Sequence, residues 1–254
     1  MTVVGLLHPG EMGAAVAGTL CERGETVVWA SAGRSAATAE RARQAGLDDV
    51  GEVAELCRRC EILISVCPPH AALDVAGQVS GFTGIYVDAN AVSPQTTRAI
   101  GSAQRRFVDG GIVGPPPRRA GTTRLYLAGG EAERVGELFA GTNVDARVIS
   151  DEPGAASALK AAYAGWTKGS AALLLTMREV ARAEGVEDAL LAEWRLSLPE
   201  LEEQSRAAAR SAQRKGWRWV GEMLEIARCL SSRRLPAGFH EAAAEVFRRT
   251  SEES

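Results

Sequence analysis

The chain has 254 residues, of which 46% are hydrophobic and 24% are charged, and its formal net charge at pH 7 is -3. That length allows one large domain or two modest ones. The charge balance gives no bulk attraction to nucleic acid or to an acidic membrane. No apolar run reaches the roughly 18 residues that a membrane span needs. We therefore expect a cytoplasmic protein that binds neither nucleic acid nor a membrane.

Five cysteines in a chain of this size do not form the dense, even set of a disulfide framework. Cys57 and Cys60 have the spacing of a redox or zinc pair, but neither a second pair nor a histidine cluster accompanies them. We interpret them as two half-buried thiols and expect no metal site.

The chain opens with a strand, a glycine-bearing turn and a helix. Residues 2–7 are a short apolar run, residues 14–23 have helical composition, and residues 26–29 form a second apolar run. This order within about 30 residues is typical of a βαβ unit whose helix N-terminus binds phosphate. His8 takes the place of the first glycine in G-x-G-x-x-G. The predicted dinucleotide contacts are His8, Pro9, Gly10, Glu11 and Met12.

Strand-like and helix-like segments continue to alternate through the first half of the chain. Further strands are expected at residues 62–67, 85–88, 124–128 and 144–149, with helices at 36–44, 53–58 and 71–79. Within residues 107–117, a strand is expected to run into a loop rich in glycine and proline. Such alternation favours a doubly wound parallel sheet. We therefore predict an α/β fold with a Rossmann-type domain over residues 1–152.

The end of the second strand indicates which dinucleotide is bound. An NAD site usually has a carboxylate there to bind the ribose diol, but no acidic residue precedes Glu40 in this segment. Ser31, Arg34 and Ser35 stand there instead, and these residue types suit a 2′-phosphate. The prediction is NADP. The alternative is that Ser35 only caps the next helix while Arg34 is solvated.

Two further strand ends are predicted to border the ligand crevice. Cys67, Pro68 and Pro69 end one strand, because consecutive prolines cannot continue a ladder; we assign them to the cofactor. Asn90 follows the next strand, where its amide can bond the nicotinamide carboxamide or a substrate oxygen. Its other interpretation is structural.

The second half of the chain is predicted to be helical. Apolar residues recur on one helix face from residue 155 to 184, and such a helix would be roughly 45 Å long. A helix of that length packs against a partner chain or forms the spine of an all-α domain. Further helices are expected at residues 188–194, 198–214, 216–230 and 239–249, so residues 153–254 are predicted to form an all-helical domain.

Lys160 lies near the start of that long helix, directly after the nucleotide-binding pattern. A lysine beside a bound nicotinamide can give a proton to a carbonyl or imine while hydride arrives. Tyr163 is one turn further along and is a second candidate for the proton donor. The ordinary alternative is a solvated lysine at a helix end.

Four segments in order resemble the β-hydroxyacid dehydrogenases and the related 6-phosphogluconate dehydrogenases and imine reductases. They are the opening that ends in Gly10-Glu11-Met12-Gly13, then residues 88–94, 109–115 and 153–160. The resemblance covers nearly the whole chain. It implies that Lys160 is the catalytic lysine and that the protein is a dimer joined through its helical domain.

The departures from that family change the expected substrate. Asn90-Ala91 replaces the family's Ser-Thr, Val113 replaces its loop serine before Gly114, and Ala164 replaces its asparagine. These losses argue against a small acid bound through its carboxylate. The run from Trp217 to Met223 resembles a subgroup with unassigned substrates. The predicted substrate contacts are Asn90, Val92, Val113, Gly114, Trp166 and Glu222.

The sequence therefore predicts an NADPH-dependent oxidoreductase that transfers hydride between nicotinamide and a carbonyl or alcohol, with Lys160 as proton donor or acceptor. Two alternatives stay open. One is an imine reductase acting on C=N bonds, and the other is a protein that binds NADP without catalysis.

Overall fold

A computed structural model of the chain describes residues 2–252. The chain divides into two compact units, Met1–Lys160 and Ala161–Ser254. The predicted boundary between residues 152 and 153 lies shortly before this division, because the first turns of a long helix belong to the N-terminal unit. Within the described residues, no helix combines the length and hydrophobicity that crossing a bilayer requires.

The N-terminal unit alternates strands and helices. Its strands are β1 (Val3–Leu7), β2 (Thr26–Trp29), β3 (Asp48–Asp49), β4 (Ile62–Ser65), β5 (Ile85–Asp88), β6 (Phe107–Val113), β7 (Thr123–Ala128) and β8 (Val144–Ser150). Its helices are α1 (Glu11–Glu22), α2 (Ala36–Gln44), α3 (Val53–Arg59), α4 (Ala72–Gly77), α5 (Pro94–Ser102) and α6 (Ala132–Glu137). A single 3-10 turn, Pro69–Ala71, precedes α4.

The eight strands of the described residues form one sheet in the order β3-β2-β1-β4-β5-β6-β7-β8. The first six strands are parallel and have the order of a dinucleotide-binding fold. This confirms the predicted α/β class. The sheet is not parallel throughout, because β7 returns antiparallel beside β6 before β8 pairs parallel with β7.

Both faces of the sheet are buried because alternate side chains of each strand enter different cores. Val4 and Leu6 of β1 belong to one apolar cluster, whereas Leu7 belongs to the other. On β4, Ile62 and Ile64 join the first cluster while Leu63 joins the second. A sheet covered on both sides needs apolar residues on both faces, which explains the unbroken apolar strands of the sequence.

The helical unit contains the rest of α7 (Ala155–Ala183), followed by α8 (Glu187–Ser197), α9 (Leu201–Ser232) and α10 (Gly238–Glu252). The sequence predicted two helices where α9 runs unbroken for 32 residues. Gly216, the expected first residue of the second helix, is buried inside α9, where a Cβ would lie 3.3 Å from the Phe247 carbonyl oxygen of α10. The glycine therefore allows two helices to approach closely and does not end one.

Small side chains fill the core of the helical unit. Alanines contribute most of it, together with Met223, Ile226 and Phe247. Trp219 packs edge-on against Phe247, with 5.0 Å between the ring centroids. Close-packed alanine faces explain how helices with modest apolar content form a stable unit.

Candidate functional site

Four strand ends are aligned across the middle of the sheet. Leu7 pairs with Ser65, Ser65 with Asp88, and Asp88 with Asp109, so these residues of β1, β4, β5 and β6 form one row. Because all four strands are parallel, the segments that follow the row emerge at the same edge. The row spans three inter-strand gaps, about 14 Å. Of the predicted site residues, those that directly follow β1, β4 and β5 therefore share one edge.

The turn between β1 and α1 has an unusual residue at its start. His8 has a φ of +73°, a left-handed conformation that glycine normally supplies. Gly10 is the N-cap of α1, and its N–H donates to the His8 carbonyl at 2.8 Å. At Gly13, a Cβ would lie 2.8 Å from that same oxygen. The turn therefore needs glycine at position 13, whereas position 8 tolerates histidine.

The other predicted residues of this turn differ in exposure. Pro9 is buried, Glu11 is exposed in the first turn of α1, and Met12 is partly buried against the first core cluster. Met12 therefore has a packing role in addition to its predicted place beside the nucleotide. The N-terminus of α1 and the backbone of Gly10 remain the parts that suit a phosphate.

Beyond β2, Arg34 reaches back to the β1 turn. Its Nη1 lies 2.5 Å from Nε2 of His8. Burial, and after it the charge of Arg34, lower the pKa of His8 to about 4. The imidazole is therefore neutral at pH 7, and Nε2 accepts the hydrogen bond. The pairing joins two predicted cofactor residues that are distant in sequence.

Ser31 and Ser35 have identified backbone roles. The Ser35 side chain accepts from the Thr38 N–H and caps α2. The Ser31 N–H donates to the Asp49 carboxylate at 3.2 Å, as does the Gly51 N–H at 2.8 Å. Hydrogen bonding from Ser31 lowers the pKa of Asp49. This carboxylate beside β2 escaped sequence analysis because it comes from β3, a strand of two residues.

Asn90 connects the ends of β4 and β5. Its side-chain oxygen accepts from the Cys67 N–H at 2.6 Å, and its amide nitrogen donates to Ser65 and to Asp88. Asn90 is only 2% exposed. These bonds favour a supporting role below the crevice, and the predicted direct contact with cofactor or substrate stays a prediction.

The residues that follow β4 form a compact corner. Cys67 is partly buried, and burial raises its thiol pKa to about 12, so it is not a reactive thiolate. Pro68 caps the 3-10 turn and Pro69 is its first residue. The corner is held to β5 through Asn90, which fixes the backbone at the predicted cofactor edge.

The predicted substrate residues of the N-terminal unit are unevenly exposed. Val92 is 2% exposed and belongs to the second core cluster, so its position favours packing over substrate contact. Val113 ends β6 and is buried as well. Gly114 follows with a φ of +123° and is exposed; a Cβ there would lie 2.2 Å from the Thr122 carbonyl oxygen. That contact makes glycine necessary in the loop.

A buried carboxylate determines where α7 begins. Asp109 of β6 accepts from the Gly154 N–H at 2.8 Å, from the Ser157 N–H at 3.0 Å and from the Ser157 hydroxyl at 2.5 Å. The Ser157 hydroxyl also bonds Thr97 of α5 at 2.6 Å. Asp109 thus accepts from two backbone N–H groups at the start of the helix and opposes the positive end of its dipole. This capping role was not predicted from the sequence. A charged residue within an otherwise apolar strand was the feature that could have indicated it.

Lys160 lies one turn beyond this cap and rests on β6. At Gly111, a Cβ would come within 2.7 Å of the Ala156 carbonyl oxygen and 3.2 Å of the Lys160 Cβ. Gly111 is two residues past Asp109, beyond the aligned row and on its carboxyl side. The base of the Lys160 side chain is therefore at the same edge as the β1 turn and Asn90.

The helical unit contains the remaining predicted site residues. Tyr163 and Trp166 are exposed on α7, and Trp166 lines an apolar cavity of about 730 Å³ between α7 and α10. Glu222 of α9 is buried and paired with Lys168 of α7, whose ammonium lies over the Trp219 ring. This pairing favours a structural role for Glu222 over the predicted contact with substrate.

Within residues 2–252, no group of three or more histidine, cysteine or acidic side chains is arranged to hold a metal ion. Cys57 is partly buried, Cys60 is buried, and both are free thiols. Burial raises the pKa of both thiols, and that of Cys60 to about 12.

We expect Asp109→Ala to lower the free energy of unfolding by about 1–3 kcal/mol, because buried N–H donors at the start of α7 lose their acceptor. Asp109→Asn is the matched control, since its amide oxygen can still accept from both N–H groups. Urea unfolding of both variants measures the difference. Equal midpoints for Asp109→Ala and the wild type would show that the cap contributes nothing.

The wild type and Asp109→Asn together test how the charge of Asp109 affects stability. Burial raises the pKa of Asp109 above its unfolded value, so the folded state binds the proton more tightly. The wild type should therefore gain stability relative to Asp109→Asn as pH falls from neutrality through the raised pKa towards 4. A difference between the two that does not change with pH would contradict this.

Two family profiles match parts of the chain. Residues 3–91 match the profile described as NADP oxidoreductase, coenzyme F420-dependent, and residues 181–250 match a domain of unknown function, DUF1932. The first match covers the β1 turn and the ends of β2, β4 and β5. Residues 3–91 are therefore similar to the NADP-binding domains of such oxidoreductases.

Similar proteins extend the resemblance over the whole chain. An uncharacterized 28.5 kDa protein of Methanothermus fervidus is 34% identical over 162 residues, and this alignment spans 63% of either protein. The conserved protein MTH1747, of unknown function but described as structurally similar to 3-hydroxyacid dehydrogenases, is 29% identical, with a TM-score of 0.75 over 98% of this chain and 97% of its own.

A Mycobacterium tuberculosis 3-hydroxyisobutyrate dehydrogenase shares the fold, with a TM-score of 0.75 at 14% identity over 100% of this chain and 94% of its own. The strand order, the NADP-binding profile and the full-length structural match agree with the motifs found in the sequence. These matches support the predicted resemblance to the superfamily of β-hydroxyacid dehydrogenases, 6-phosphogluconate dehydrogenase-like proteins and imine reductases.

Proposed function

We propose that the protein is an NADPH-dependent oxidoreductase that transfers hydride between the nicotinamide and a carbonyl or alcohol substrate. One observation carries the proposal: the β1 turn, the corner after β4 and the base of Lys160 all lie beyond one aligned row of strand ends. An extended dinucleotide bound along that edge would have its phosphates at one end and its reactive ring towards β5 and β6.

The chain offers distinct groups for each part of the cofactor. The N-terminus of α1 and Gly10 would hold the pyrophosphate, and Arg34 with Ser31 and Ser35 would hold the 2′-phosphate. Residues 67–69 and Asn90 would shape the edge beside the nicotinamide. When bound, NADPH supplies the hydride, and the protein supplies position and electrostatics.

Lys160 is the proposed proton donor in reduction and the proton acceptor in the reverse direction. Its helix begins at the Asp109 cap, and Gly111 lets α7 lie close to β6. The position of the lysine is thus set by buried contacts, which is the arrangement that a general acid requires. Tyr163, one turn later on α7, is a second proposed donor.

The proposed substrate contacts of the N-terminal unit are Val113 and Gly114, which favour an apolar, uncharged substrate. Asn90, Val92 and Glu222 have internal partners that favour supporting roles instead. The retained Lys160 favours carbonyl or alcohol chemistry over imine reduction. A panel of ketones and aldehydes, each assayed with NADPH in the presence and absence of methylamine, separates the two: turnover only with the amine identifies an imine reductase.

For the best substrate of that panel, we expect Lys160→Met to lower kcat by about 10²–10⁴-fold, the range of a lost general acid. The affinity for NADPH should stay unchanged. Lys215→Met, on α9, is the matched control and should retain full activity. Undiminished turnover in Lys160→Met would overturn the assignment. NADPH binding with no turnover of any substrate by the wild type would instead favour a non-catalytic NADP-binding protein.

We further propose that the helical unit forms a homodimer. Its surface carries both protruding apolar side chains and an apolar cavity: Phe239 is 80% exposed and Trp166 77%, and both line the cavity of about 730 Å³ between α7 and α10. A surface that carries both protruding apolar side chains and an apolar cavity can be complementary to the same surface of a second copy around a two-fold axis. Exposed patches of this kind in soluble proteins usually mark an interface.

Light scattering coupled to size exclusion tests the homodimer. We expect the wild type to have the mass of two chains and Phe239→Asp to have the mass of one, because a buried unpaired carboxylate opposes association. Leu196→Asp is the control: Leu196 is 83% exposed on α8, away from the lining of the cavity. A monomeric wild type, or a dimeric Phe239→Asp, would contradict the proposal.

A further inference from the structure

His8 occupies a backbone conformation that disfavours it. Its φ of +73° lies in the left-handed region, which costs an L-residue with a side chain roughly 1–2 kcal/mol. Glycine would avoid that cost at the first position of a dinucleotide turn. A residue in a strained backbone conformation beside a ligand-binding turn points to a functional role. Because glycine would suit the backbone better, that role belongs to the histidine side chain.

The His8 side chain holds an arginine. Nε2 lies 2.5 Å from Nη1 of Arg34, and a guanidinium can only donate, so the imidazole must accept through Nε2. The pKa of about 4 keeps it able to do so at neutral pH. His8 therefore directs the guanidinium of the β2–α2 loop towards the nucleotide turn.

A second arginine is fastened to the same turn. Nε of Arg41 on α2 donates to the Pro9 carbonyl at 3.2 Å, and Nη2 donates to the Thr38 hydroxyl at 3.0 Å. The Thr38 hydroxyl in turn bonds Ser35 at 3.1 Å. Two arginines and two hydroxyls are thus connected to the start of α1 through neighbouring residues of one turn.

Two acidic residues of neighbouring elements are occupied elsewhere. Asp49 accepts from the backbone N–H groups of Ser31 and Gly51, and Glu40 pairs with Arg43. Cys67 interacts with the charge of Arg34, but burial raises its pKa and keeps it a neutral thiol. Within residues 2–252, neither Arg34 nor Arg41 forms a salt bridge with a carboxylate. Their positive charge is available to an anion from outside the chain.

We infer that His8 and Arg41 set the preference for NADPH over NADH: His8 as a positioning residue that aims Arg34, and Arg41 as a second cation for the 2′-phosphate. The inference rests on the proposed function, because it concerns the same cofactor edge. A charge-assisted pair of guanidinium groups suits a phosphate dianion, whereas the 2′-hydroxyl of NADH gains nothing from it.

Calorimetry on the full chain, with NADPH and NADH as separate titrants, tests the inference. We expect His8→Gly and Arg41→Ala each to weaken NADPH binding about 10-fold, or about 1.4 kcal/mol, while the affinity for NADH stays unchanged. Glycine relieves the left-handed strain at position 8, so His8→Gly retains the turn. Arg43→Ala, on the outer side of α2 and paired with Glu40, is the control and should bind both cofactors like the wild type.

Two further variants separate positioning from a general structural effect. His8→Asn tolerates the same backbone and retains an accepting oxygen, so it should recover part of the NADPH preference. The double variant His8→Gly/Arg34→Ala should lose little more NADPH affinity than Arg34→Ala alone, because both substitutions act through the same guanidinium. Additive losses would overturn the positioning role.

The remaining outcomes are distinct. Equal weakening of NADPH and NADH in His8→Gly would leave His8 with only a structural role, and an unchanged ratio in Arg41→Ala would remove Arg41 from the phosphate site. Since His8 titrates near 4, the wild-type preference should also not vary with its protonation between about pH 6 and 8. A wild type that binds neither nucleotide would instead overturn the proposed function.

Discussion

The buried carboxylate of Asp109 is the constraint on which the proposed chemistry depends. It joins the middle of the sheet to the first turn of α7, since both its oxygens accept from Gly154 or Ser157. The same strand supplies Gly111, whose missing side chain lets the helix lie against the sheet. Two residues of β6 thus determine where Lys160 stands relative to the ends of β4 and β5.

The charged groups beside β1 and β2, at the other end of the row, are held in a different way. There the charges are not buried in pairs but held in place by neutral groups: an imidazole, a backbone carbonyl and a hydroxyl. Neutral partners orient a guanidinium without cancelling its charge. An anion that reaches this corner therefore meets cations that need little reorganisation, which is how a binding site gains selectivity.

The sequence predicted the features that depend on local pattern. The alternation of apolar strands with helices gave the sheet, and the glycines at 10 and 13 marked the turn, because both signals lie within short stretches of chain. Long-range pairings were harder to foresee. Nothing near Glu222 in sequence indicates its pairing with Lys168, and Asn90 becomes a crosslink only when β4 lies beside β5.

Two departures have clear physical causes. Two helices were expected on either side of residue 215, but the close approach of α10 makes Gly216 favourable inside one continuous helix, α9. Val92 was predicted to contact substrate, whereas its side chain lies in the second core cluster, which favours a packing role. In both cases tertiary packing outweighed a local preference that sequence alone can show.

A crystal structure of the full chain with bound NADP tests the central claim most directly. The account predicts the pyrophosphate at the N-terminus of α1 and the Lys160 ammonium near the substrate side of nicotinamide C4, within about 4 Å of a bound carbonyl oxygen, close to the range for reacting groups. A nucleotide bound elsewhere, or a Lys160 side chain directed into bulk solvent while the nicotinamide is in place, would contradict it.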